Sequence, residues 1–164
     1  MRWGLDPEQQ MLQDALGGWL ARVATPVAVR GWLDSADASG FESALADEGW
    51  FALGTAEERG GQGGGLLELA LAAEQFARAA VPSSTWMATV LALPALPDEA
   101  AESAIEEGQR LALAVRSDAP IAAGELTASD GTVSGEVELV LGGDRADRFV
   151  VAAAGRLHLV DAAA

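Results

Sequence analysis

The sequence predicts an α+β chain, with a helical segment over residues 1 to about 108 followed by an antiparallel β region over 109 to 164. Three observations carry that expectation. Apolar residues recur at helical spacing through the front of the chain, the period changes to alternation beyond Arg110, and Asp130-Gly131 gives a tight-turn signal between two alternating runs.

The first helix starts at Asp6, a capping residue followed by Pro7 at the tolerated first helical position and by Gln9 at the capping-box spacing. Met11, Leu12, Ala15, Leu16, Trp19 and Leu20 form its apolar face, and Thr25-Pro26 ends it. A short helix is expected over 27–33. Ser39-Gly40-Phe41-Glu42 has the spacing of another capping box, on a helix that stops at Gly49. The apolar run Trp50-Phe51-Ala52-Leu53 is too short to assign by period, and a loop with Gly60, Gly61, Gly63, Gly64 and Gly65 follows it. From Leu66 to Ala80 a mostly apolar helix should bury Leu67, Leu71 and Phe76 while exposing Glu68, Glu74 and Arg78. Pro82 breaks that pattern. Ser83 or Ser84 then caps a helix through Leu93, and Pro94 and Pro97 separate it from an acidic helix ending near Gly108. In the β region, strands are expected over 111–115, 125–128, 149–153 and 157–160, the last two joined at Gly155-Arg156. A longer strand over 132–141 should place Val133, Val137, Leu139 and Leu141 on one face.

Half of the 164 residues are hydrophobic, which is enough apolar material for a folded core. Ten basic residues, all arginine, stand against 25 acidic ones, for a net charge of −15. Nucleic acid is therefore excluded as a partner, because phosphate neutralisation needs clustered Lys and Arg. The absence of cysteine excludes disulfides, thiolate metal sites and cysteine nucleophiles. The start, Met1-Arg2-Trp3-Gly4-Leu5, has no apolar stretch of the signal-peptide kind, and no run approaches the ~20 apolar residues of a membrane span, so a cytoplasmic location is expected.

The residue patterns that invite a site are better explained structurally. The glycine loop lacks the third glycine of a dinucleotide fingerprint, since Leu66 stands there, and it has no Gly-Lys-Ser/Thr. His158, the single histidine, alternates with Leu157 and Leu159 and has no second His or Cys to share a metal, so it reads as solvent-facing or hydrogen-bonded. Glu57-Glu58 and Glu106-Glu107 are sequence neighbours that point apart, so neither is a carboxylate dyad. The tryptophans at 3, 19, 32, 50 and 86 are expected as core or interface anchors. No catalytic residue and no metal ligand is assigned.

Two stretches carry a resemblance. One is Gly49-Trp50-Phe51-Ala52-Leu53-Gly54, then Glu57-Glu58-Arg59-Gly60-Gly61-Gln62-Gly63, then Leu67-Glu68-Leu69-Ala70 and Ala73-Glu74-Gln75-Phe76-Ala77-Arg78-Ala79. The other is Asp130-Gly131, Ser134-Gly135-Glu136, Gly143, Ala146-Asp147 and Phe149-Val150-Val151. In this order they resemble the acyl-CoA dehydrogenase family, the first its amino-terminal helical domain and the second its middle β domain. The resemblance implies an all-α helical bundle domain (1–108) and an incomplete antiparallel β-barrel or sandwich domain (109–164), with the carboxy-terminal helical domain and its catalytic carboxylate outside the chain. It also implies α,β-dehydrogenation of an acyl-CoA thioester by an FAD-dependent oxidoreductase of lipid metabolism, in homo- or hetero-oligomers of such subunits.

Position by position, the resemblance sets Leu139 where the family has a flavin-stacking aromatic, Val140 at its isoleucine, and Leu141 at the Thr or Ser that hydrogen-bonds the flavin ring. Arg116-Ser117-Asp118-Ala119-Pro120 stands where the other flavin-contacting stretch is expected. The acyl pocket maps onto Ser84, Thr85, Ala88 and Thr89. These matches and departures give two expectations: the front portion of an acyl-CoA dehydrogenase-like flavoprotein that is not catalytic alone, or a non-catalytic structural subunit of a hetero-oligomer. An acidic interaction module unrelated to flavin is a third reading, and it leaves the paired motifs unexplained.

Overall fold

The Asp6 carboxylate accepts from the Gln9 backbone amide at 2.9 Å and the Gln9 side chain accepts from the Asp6 amide at 3.1 Å, so helix α1 (Pro7–Val23) opens with the expected reciprocal cap. The computed structural model describes residues 4–115 and 126–162 of the chain, which divides into two compact units, one ending at Ser83 and one beginning at Ser84.

In the first unit, α2 (Pro26–Ser35) is capped by the Thr25 hydroxyl, and α3 (Ser39–Asp47) is followed by a 3-10 turn at Trp50–Ala52 and another at Glu57–Arg59. Helix α4 (Leu66–Arg78) begins where the Glu68 carboxylate accepts from the Gly65 amide at 2.8 Å. The other Glu68 oxygen accepts from the Gln9 side-chain amide at 3.0 Å, which ties the starts of α1 and α4 together. The core is aromatic. Trp19 lies 5.8 Å from Phe41 and 5.9 Å from Trp50, and Trp32 stacks tilted at 5.0 Å on Phe41, spacings that favour offset rings. Leu16, Leu45 and Phe76 close it.

In the second unit, α5 (Ser84–Ala92), a 3-10 turn at Leu93–Ala95 and α6 (Asp98–Glu106) precede a three-stranded sheet ordered β1 (Leu111–Ala114), β4 (Arg148–Ala153), β5 (Arg156–Asp161). Central β4 is apolar from Phe149 to Ala153 because both of its faces are covered. Val150 joins Leu111, Ala92, Leu93, Leu96, Ala101 and Ala104 in one cluster, while Val151 and Ala153 join Ala114 and Leu126 in another. The short strands β2 (Thr127–Ser129) and β3 (Thr132–Ser134) form a separate hairpin, whose Asp130 (φ 50°) and Gly131 (φ 76°) are both left-handed, as a two-residue primed turn requires.

The α+β class and the element order agree with the sequence, and several details are corrected. Strand β1 pairs in parallel with β4, so the main sheet is mixed rather than wholly antiparallel. The Ser39/Glu42 cap does not form: α3 is preceded by Ala38, and the Asp37 carboxylate accepts from the Ser39 amide at 2.9 Å. Leu67 is half exposed, because α4 buries the face of Leu71, Ala72 and Phe76. The strand expected over 132–141 stops at Ser134, where Gly135 turns at φ 142°. The turn before β5 is Ala154-Gly155, and Arg156 already belongs to the strand. Trp3, Glu125 and the 116–120 stretch lie outside the described residues. Packing and period divide the chain at different places, since α5 and α6 pack with the sheet in the second unit although the alternating pattern begins only after Arg110.

Candidate functional site

In the glycine loop, the amides of Gly54, Gly60, Gly61, Gln62 and Gly63 donate to the carbonyls of Gly63, Glu57, Ala56, Ala52 and Thr55, and that of Gly65 donates to Glu68. Those donors are turned inward, so the loop does not present the row of amides an anion site needs. Gly61 is there for space: a Cβ on it would lie 2.1 Å from the Thr55 carbonyl oxygen.

The four positions mapped to an acyl pocket lie on α5, and they divide sharply. Ser84 is exposed, whereas Thr85, Ala88 and Thr89 are buried within the second unit. Ala88 stands against Gly142, where a Cβ would come within 2.9 Å of the Ala88 methyl. Thr89 serves the sheet. Its hydroxyl oxygen accepts from the Leu111 amide at 3.0 Å and lies 3.4 Å from the Leu111 carbonyl, to which the same hydroxyl donates. The side chain thus occupies an edge position of β1 that another strand would otherwise take.

The three positions mapped to flavin contacts lie between β3 and β4, and their side chains alternate. Leu139 is 85% exposed and Leu141 49%, while Val140 between them packs with Val133 and Val137 on the cluster of Ala114, Leu126, Val151 and Ala153. The expected common face of Val133, Val137, Leu139 and Leu141 is therefore broken after Val137. Among the described residues no ladder holds the stretch in register; Gly143 donates to the Val140 carbonyl, Arg145 to that of Gly142, and the Gly142–Ala88 approach fixes the turn. Leu139 and Leu141 point outward, and neither side chain carries a hydrogen-bond donor. The chemistry of these residues does not fit a flavin ring as the family pattern has it.

A site the sequence did not single out is the ion pair at the head of the sheet. Asp147 Oδ2 accepts from the Arg110 amide at 2.8 Å and from Arg110 Nε at 3.0 Å, and Oδ1 from Nη2 at 2.5 Å. The Asp147 amide donates back to the Arg110 carbonyl, and Ala162 donates to the Asp147 carbonyl. The aspartate of the Ala146-Asp147 motif thus joins the ends of β1, β4 and β5. The Arg110 guanidinium holds its carboxyl below the usual range against the opposing cost of desolvation. The available signal was the motif itself, a fixed acid just before an apolar strand.

His158 is half-buried with Nε2 3.3 Å from the Ala153 carbonyl oxygen, the hydrogen-bonded setting expected for it. Among the described residues no group of three His, Cys, Asp or Glu is placed to hold a metal, and no helix is long and apolar enough to cross a membrane. An open cleft of about 560 Å³ between the β2–β3 hairpin and β5 is lined by Asp130, Thr132, His158 and Asp161, and holds none of the mapped positions.

Residues 6–103 match the family model described as acyl-CoA dehydrogenase, N-terminal domain. A chain of the ChsE4–ChsE5 complex of Mycobacterium tuberculosis has the same fold over 98% of this chain and 49% of its own, at 24% identity and a TM-score of 0.77. A Mycobacterium smegmatis protein assigned as an acyl-CoA dehydrogenase is similar over 96% of this chain and 48% of its own, at 19% identity and a TM-score of 0.71. The electron transferring flavoprotein of Acidaminococcus fermentans is similar over 92% and 44%, at 20% identity and a TM-score of 0.72. The chain spans about half the length of these solved structures. No curated protein matches it.

Proposed function

Because the chain belongs to the acyl-CoA dehydrogenase family through residues 6–103 of its amino-terminal domain, we propose that it supplies the front portion of an acyl-CoA dehydrogenase-like flavoprotein and does not catalyse the reaction alone. In this reading the domains are the helical 1–108 and the partial middle β domain 109–164, and the assembly is cytoplasmic. The reaction served is the α,β-dehydrogenation of an acyl-CoA thioester with FAD as acceptor. Ser84, the exposed member of its group, meets the acyl chain, and Thr85, Ala88 and Thr89 stand behind it. The carrying observation is the pair Leu139 and Leu141, both outward-facing, with no aromatic ring at the position where the family stacks on flavin and no donor at the one where it hydrogen-bonds the ring.

The same pair favours a second reading, a non-catalytic structural subunit of a hetero-oligomer, and the likeness to one chain of a two-protein complex supports it. The test is an absorbance scan and a dye-reduction assay on the purified chain. We expect no protein-bound flavin band near one per chain and no acyl-CoA turnover above a buffer control; a stoichiometric band or turnover would refute the proposal.

A further inference from the structure

Leu139 and Leu141, 85% and 49% exposed, flank a residue that points into the core, so two apolar side chains project to solvent from three consecutive positions. Glu136, Glu138 and Asp144 are exposed around them, and no basic residue occurs between Ser134 and Arg145. An exposed apolar patch rimmed by polar groups marks a contact surface, and the rim's charge selects the sign of what settles there.

We propose that this strip docks a different protein chain through an apolar surface rimmed by Arg or Lys. The inference rests on the reading above, in which the chain contributes structure to an assembly. A second copy is the poorer occupant, since it brings the same carboxylates to the contact and carries 25 acidic residues against 10 basic. An anionic dinucleotide meets the same repulsion and finds no side-chain donor on the two leucines.

The probe is a fluorescein-labelled amphipathic peptide of about eighteen residues, leucine on one helical face and lysine on the other. Its binding to the full chain is read by anisotropy and compared with a serine-for-leucine version of the peptide. We expect Leu139→Ser/Leu141→Ser to weaken binding about tenfold, as loss of a central apolar contact does. Glu136→Gln/Glu138→Gln should weaken it about threefold at low salt, and less as salt screens the rim. Glu99→Gln/Glu102→Gln on α6, also exposed, should leave it unchanged.

Equal loss with the α6 substitutions, no loss with the leucine substitutions, or equal binding of the serine peptide overturns the proposal. So does a sedimentation profile in which the wild type is a dimer that the leucine substitutions dissociate, because the occupant is then a second copy. The leucines are exposed enough that their replacement leaves the fold intact, and circular dichroism of each variant verifies that. A parallel FAD titration separates the two levels of the argument. Binding near one per chain defeats the functional reading itself, whereas a failed peptide experiment with no flavin binding defeats the docking alone.

Discussion

Two stretches of this chain interrupt regular structure with glycine, and they do opposite things. The loop between the 3-10 turn at Trp50–Ala52 and α4 folds its amides onto its own carbonyls, with Gly61 pressed against the Thr55 carbonyl. The stretch between β3 and β4 holds its shape through one tight approach, Gly142 on Ala88, and sends Leu139 and Leu141 outward. Glycine density therefore does not locate a surface for a partner. What locates it is whether backbone donors and apolar side chains are satisfied internally: in the first stretch the amides from Arg59 to Gly63 and that of Gly65 are, and in the second the side chains of Leu139 and Leu141 are not.

The largest effect should come from the closed loop. Gly61 does not have a left-handed backbone, so Gly61→Ala tests space alone, and the added methyl would overlap the Thr55 carbonyl, which cannot move without breaking the Gly63–Thr55 hydrogen bond. A loss of about 3 kcal/mol is expected from urea denaturation, at the upper end of overpacking costs. A loss below about 0.5 kcal/mol, ordinary for a surface substitution, would show that the loop is not closed as described.

Next in size is Thr89→Val, which keeps the shape and removes the hydroxyl that serves Leu111. A buried amide left without its acceptor costs about 2 kcal/mol, and Thr89→Ser should recover most of it. If valine is tolerated, the edge of β1 does not depend on the Thr89 hydroxyl.

Asp147→Asn should be smaller, about 1 kcal/mol after discounting for a side chain 40% exposed, and its signature is in pH. The folded carboxyl titrates below its unfolded value, so its contribution is present above pH ~4 and is lost as pH falls through the folded pKa. The stability gap between wild type and variant should be flat from neutrality down to about pH 5 and close below about pH 4. Glu68, lowered by its bonds from Gln9 and Gly65, shifts in the same sense, but it is present in both proteins and cancels from the gap.

Much of this was legible in the sequence where local chemistry decides. Asp6, Pro7 and Gln9 specify the start of α1 without tertiary help, and Asp130-Gly131 specifies the hairpin, because only left-handed backbone closes such a turn. The sequence misled where a partner decides. Alternation from Thr132 to Leu141 looks like one strand, but period two persists only while a ladder holds the register, and after Gly135 none forms among the described residues. The positions of Leu139, Val140 and Leu141 within the family pattern could be read from sequence; which of them faces solvent could not. The hydrogen bond between Thr89 and Leu111 could not be read from the sequence, because its two partners lie 22 positions apart.

The smallest expected effect bears directly on the open stretch. Leu139→Ser should change stability by less than about 0.5 kcal/mol, because a leucine side chain contributes about 1.5–3 kcal/mol only when fully withdrawn from water, and this one is 85% exposed. The adjacent Val140 packs on the cluster of Ala114 and Val151, so the same change there should cost more, on the order of 1 kcal/mol. The pair is a frame test for the whole stretch. If the costs are reversed, Leu139 points into the core as simple alternation from Val133 requires, and the outward pair on which both the flavin argument and the docking argument stand is absent. If the costs fall as expected, Leu139 is an apolar side chain that stability does not require at its position. Its presence there then has to be explained by what it contacts outside this unit.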